Sequence, residues 1–69
     1  MRISYKKLWK LLIDKDMLKK DLAVKAGISN TSIAKLSKNE NVNTNILLKI
    51  CTALNCDISD MMEVVEDNE

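Results

Sequence analysis

Asn30, Thr31 and Lys35 put a carboxamide, a hydroxyl and an ammonium within one short polar-to-helical run, with the hydroxyl of Ser29 just ahead of them. These groups donate and accept hydrogen bonds but make or break no covalent bond by themselves. An asparagine amide matches the N6 and N7 edge of adenine. A threonine offers its hydroxyl, or presses its methyl on that of thymine, and a lysine reaches guanine O6 or N7. The run contains no arginine, so the rigid two-point grip on guanine is missing. Modest affinity per copy and contacts leaning towards A·T pairs are the expectation.

Residues for catalysis are absent. The chain has no histidine, no phosphate-cradling glycine loop and no nucleophile–base pair, so an enzyme is not expected. Cys51 and Cys56 are five apart, which is neither a CxxC pair nor a zinc spacing, and no histidine completes a site. They read as two small apolar packers in a reducing cytosol. No metal, cofactor or small-molecule ligand is expected.

The elements that must position the polar run follow from the stretch LAVKAGISNTSIAKLSKN, Leu22 to Asn39. It holds the single glycine of a chain without proline. A helix over about Lys19–Ala26 ends at Gly27, which takes a left-handed conformation at low steric cost. Ile28 plugs the turn. Ser29 caps a following helix near Asn30–Lys38, anchored by Ile33 and Leu36. Ala23 is the small residue where the two helices cross. These requirements together describe a helix-turn-helix over about 19–38.

The rest of the chain has helical periodicity as well. Ser4 is placed to cap a first helix near Tyr5–Asp14, with Tyr5, Leu8, Trp9, Leu11, Leu12 and Ile13 as its apolar stripe. Lys6, Lys7 and Lys10 take the other side. A fourth helix runs from Asn43 or Thr44 to Leu54, where Asn55 is a left-handed stop. Ser59 is placed to cap a last turn, Asp60–Met62. Residues 63–69 read as an acidic tail that frays. No stretch alternates strictly, so no strand is expected.

Sixty-nine residues make one domain, with 46% apolar residues and an aliphatic core. A chain of this size buries only roughly 60% of the surface it exposes when unfolded. The net charge of +1 hides a division. Residues 1–38 carry ten Lys/Arg against three acids, a balance of +7. Residues 39–69 carry Lys49 against seven acids, a balance of −6. A basic half suits a nucleic-acid partner better than the sum suggests. The opening MRISYKKLWK lacks the apolar core of a secretory leader, and no apolar run approaches the ~20 residues of a membrane span.

LAVKAGISNTSIAKLSKN followed by ILLKICTALNCDISDMM resembles the Cro/C1-type (phage repressor-like, XRE) helix-turn-helix family, over about residues 5–62. The resemblance implies an all-α, compact five-helix domain over 1–62, in a cytoplasmic protein of bacterial, phage or mobile-element context. It implies a transcriptional regulator, a repressor or an activator, that binds double-stranded DNA through its third helix, often as a homodimer on a palindromic operator. Ser29, Asn30, Thr31 and Lys35 are then the base-contacting candidates. Lys19, Lys20, Ser32, Lys38, Asn39, Asn43, Thr44 and Asn45 are the candidates for the DNA backbone. Ile58, Met61, Met62, Val64 and Val65 are the candidate dimer surface.

Three departures from the family pattern stand out. An arginine on helix 1 often pairs with a glutamate late in helix 3; the matching positions are Leu12 and Ser37. A Ser or Thr often caps helix 2, and Leu18 stands there without an acceptor, which suggests a slightly late start. The usual glycine after helix 3 is missing, with Asn39 the nearest tolerant residue. The alternative is a protein–protein module, an antitoxin or an adaptor, on the same fold.

Overall fold

The structure is a computed structural model, and residues 1–67 are described. Strand β1 (Arg2–Ser4) is followed by helices α1 (Lys6–Asp14), α2 (Lys19–Ala26), α3 (Asn30–Ser37) and α4 (Thr44–Leu54), a 3₁₀ turn at Ile58–Asp60, and strand β2 (Glu63–Val65). Among the described residues there are thus four α-helices, with a single 3₁₀ turn where a fifth helix was expected. The two strands pair antiparallel, with Arg2 opposite Val65 and Ser4 opposite Glu63. This sheet corrects two expectations: that the chain has no strand, and that residues 63–65 fray. Three-residue strands are too short to show alternation. The last two residues of the acidic tail lie outside the described residues.

One hydrogen-bond pattern closes every α-helix. The N–H of Met17, Ile28, Glu40 and Cys56 donates to the carbonyl of Leu12, Ala23, Lys35 and Cys51, at 2.9, 3.0, 2.9 and 3.1 Å. The residue before each donor is left-handed: Asp16, Gly27, Asn39 and Asn55, at φ of 55°, 68°, 57° and 52°. This termination brings the donor and acceptor residues' side chains together. At α1, α2 and α4 the pairs are small or apolar; at α3 the pair is Lys35 with Glu40, both exposed. A Cβ on Gly27 would meet no atom within 4 Å. The glycine is required by its φ and not by crowding.

The helix starts fall close to expectation, with different residues doing the capping in three cases. Ser29 accepts the Ser32 N–H at 3.2 Å and Asn43 accepts the Ile46 N–H at 3.0 Å. Leu18 has no acceptor, yet α2 does not start late, because the Asp21 carboxylate reaches back to the Leu18 N–H at 2.9 Å. Asp57, not Ser59, caps the 3₁₀ turn. Ser4 stands one residue ahead of the α1 cap, which is Tyr5.

The core is Tyr5, Leu8, Leu12, Leu22, Ala23, Ile28, Ile33, Leu36, Leu47, Ile50, Leu54 and Met61. Ile13, expected on the buried stripe of α1, is 74% exposed. Met61 corrects the expected dimer surface: it is fully buried in the core. Ile58 and Val64 are exposed, and Met62 and Val65 are half-buried.

Asn39 ties α3 to α1. Its Oδ1 accepts the Tyr5 N–H at 3.0 Å, while the Tyr5 hydroxyl donates to the Glu40 carbonyl at 3.2 Å. Burial pushes the Tyr5 phenol upward, so it stays a neutral donor. Asn39→Gly keeps the left-handed φ and loses the acceptor; it should cost about 1 kcal/mol. Asn39→Ala loses both and should cost about 1–2 kcal/mol more. Thermal melts followed by circular dichroism should fall by about 4–8 °C for the first and further for the second. Asn39→Gly melting like the parent chain would remove the acceptor role.

Candidate nucleic-acid interface

α3 presents one continuous polar strip because its other side is spent on the core. Ile33 and Leu36, three apart, are buried. Asn30, Thr31, Ala34, Lys35 and Lys38 are all exposed, at i, i+1, i+4, i+5 and i+8. Among the described residues, no hydrogen bond uses the side chains of Asn30, Thr31 or Lys35. Ser29 is exposed, but its hydroxyl caps the helix and lies 3.2 Å from the Ser32 hydroxyl. Ser29 and Ser32 are therefore partly committed to each other, and Ser32 is half-buried.

The backbone candidates divide in the same way. Lys20, Lys38, Thr44 and Asn45 are exposed and keep their polar groups free of hydrogen bonds within the described residues. Asn39 and Asn43 spend their Oδ1 on Tyr5 and Ile46, and each keeps its amide N–H pair for another partner. Lys19 is held in place: its Nζ donates to Ser37 Oγ at 2.9 Å and lies 4.3 Å from the centre of the Trp9 ring. The Ser37 hydroxyl in turn donates to the Ile33 carbonyl.

That cluster was missed in the sequence. Leu12 is buried, and Ser37 sits at the end of α3 with no ion pair to make with it. A cation–π contact and a charge-assisted hydrogen bond from the Lys19 ammonium join α1, α2 and α3 beside that position. The Trp9 and Lys19 types gave a signal, but only the crossing of α1 and α2 brings them together.

Among the described residues no helix is long and apolar enough to cross a membrane. A buried two-residue anchor, a left-handed turn and an exposed polar strip on the second helix of the pair define a helix-turn-helix protein. The chain belongs to the Cro/C1-type helix-turn-helix family: the model of the Cro/C1-type HTH DNA-binding domain matches residues 7–67. Among solved structures, the chain is similar to the transcriptional regulator VanUg, Form II. The two are 53% identical with a TM-score of 0.91, over 96% of this chain and 88% of that one. No curated protein matches the chain.

Proposed function

We propose that this protein regulates transcription by placing α3 in the major groove of a palindromic operator, as a homodimer. The observation that carries the reading is the unpaired strip of Asn30, Thr31 and Lys35 above the buried Ile33 and Leu36. The family's DNA-binding domain and the likeness to a transcriptional regulator support it. One such module buries only ~600–1,000 Å² against DNA, which favours two copies with recognition helices ~34–36 Å apart. Ile58, Met62, Val64 and Val65 remain the surface proposed for pairing. Lys19, Lys20, Lys38, Thr44 and Asn45 are proposed to hold the phosphates, joined by the amide N–H groups of Asn39 and Asn43, with Lys19 leaving Ser37 and the Trp9 face to do so.

Selection from randomised duplex DNA tests this. Enrichment of a palindrome with half-sites one helical turn apart is expected. Asn30→Ala, Thr31→Ala or Lys35→Ala should each cost about 1–3 kcal/mol of discrimination at one position of the half-site. No enrichment at low salt would overturn DNA reading and move attention to a protein partner.

A further inference from the structure

The ending of α4 sets the chain's two cysteines side by side. The Cys56 N–H donates to the Cys51 carbonyl at 3.1 Å across left-handed Asn55. Covalent bond lengths on either side of that hydrogen bond keep the two Cα atoms within about 7 Å, inside the separation a disulfide bridges. Side chains at the two ends of such a closure meet. The thiols sense each other accordingly: the Cys56 thiol is pushed up by burial first, then by the neighbouring Cys51 and by Asp60, with Lys15 opposing.

Both cysteines are free thiols and half-buried, and both line one open groove with Asp57, Ile58 and Asp60. A reagent in solution therefore reaches them. At the matching positions α1 closes with Leu12 and Met17, and α2 with Ala23 and Ile28. Packing asks for small or apolar residues at such an ending. It does not ask for two thiols on the wall of one groove.

We propose that Cys51 and Cys56 are a reversible oxidation site, closed into an intramolecular disulfide by low-molecular-weight disulfides. One cysteine thiolate attacks a sulfur of the reagent, forms a mixed disulfide and releases one thiolate. The second cysteine thiolate attacks the protein sulfur of that mixed disulfide and releases the other. Two cysteine thiols are oxidised, the reagent's S–S bond is reduced, and the two cysteine protons end on the two released thiols. In the reduced chain Cys51 Sγ lies 3.8 Å from Met61 Sδ. Met61 is a buried thioether and takes no part; closure exchanges that contact for the covalent bond. The bond clips the last turn of α4 to the segment that leads through the 3₁₀ turn to Met61. The folded chain already holds this reversal and the unfolded chain does not, so oxidation favours the fold.

Cysteines five apart also close in an unfolded chain, so the test compares the two states. The whole chain is equilibrated with mixtures of reduced and oxidised glutathione, with and without denaturing urea, quenched in acid and weighed. The product should be a monomer two hydrogens lighter, and its closure from the mixed disulfide should be about tenfold more favourable folded than in urea. By linkage, the same tenfold should raise the thermal midpoint of the oxidised chain by about 5–10 °C. Cys51→Ala and Cys56→Ala each keep one thiol, so each should stop at the mixed disulfide with the far-ultraviolet dichroism of the parent chain. Equal closure in the folded and urea-unfolded chain would overturn the site. So would a midpoint that stays or falls on oxidation, or disulfide-linked pairs of chains in place of the closed monomer. The assay contains no DNA, so its outcome is independent of the operator reading.

Discussion

Leu36→Ala is expected to lower the unfolding free energy by about 2–5 kcal/mol. Leu36 is fully buried on α3 and belongs to the single cluster shared by all four helices. Removing its branched end leaves a cavity that the neighbouring helices fill only in part. At roughly 0.05–0.15 kcal/mol per residue, a domain of this length has a total stability of only about 3–10 kcal/mol. Leu36→Ala therefore removes a large share, and loss of DNA binding should follow from loss of fold. Lys35→Ala, one residue away and exposed, should stay within about 0.5 kcal/mol of the parent in stability and lose affinity instead. Val24→Ala, at a position 84% exposed, should change neither much. Urea unfolding separates the three: the midpoint should fall for Leu36→Ala alone, with an unchanged slope. An unmoved midpoint there would contradict the packing described for α3.

Most of the helical frame was legible because its signals are local. Gly27 and Asn55 mark left-handed stops, Ser29 and Asn43 mark starts, and Ile33 with Leu36 marks the inward face of α3. What escaped depends on partners distant in the chain. β1 and β2 join residues about sixty positions apart through three-residue strands that carry no periodic signature. Met61 follows a polar loop and ends in the core only because the 3₁₀ turn at Ile58–Asp60 redirects the chain. Asn39 reads as a tolerant loop residue, while its acceptor role needs Tyr5, 34 residues earlier. Asp16 and Asp21 look like ordinary surface acids. One is a left-handed stop and the other satisfies the Leu18 N–H. The polar strip of α3 was legible for the same local reason as its anchor: once Ile33 and Leu36 face inward, Asn30, Thr31 and Lys35 have only the outside left.

Operator affinity is expected to fall about a thousandfold between 50 and 200 mM salt, although the net charge is only +1. The reason is that phosphates meet the basic half of the chain and not its average. Lys19, Lys20 and Lys38 are the three candidate phosphate cations per copy, six in a two-fold pair. Release of their counterions gives a logarithmic slope of about −5. Lys19 differs from the other two, since its ammonium already has Ser37 and the Trp9 face. A phosphate carries full negative charge, whereas a hydroxyl and a ring offer only partial charge. On DNA the ammonium should therefore move from the ring to the backbone. Lys19→Gln should then bring the slope to about −4, the value for the four remaining lysines of the pair. Trp9 is the chain's single tryptophan, so its fluorescence reports the same event: emission should change when operator is added to the parent chain. If Lys19 stays on Trp9, the parent slope is about −4, Lys19→Gln leaves it unchanged, and the emission does not respond. In that case Lys19 serves the fold, by holding α1 and α2 against the end of the reading helix, and the phosphates are held by Lys20, Lys38 and the amino end of α4.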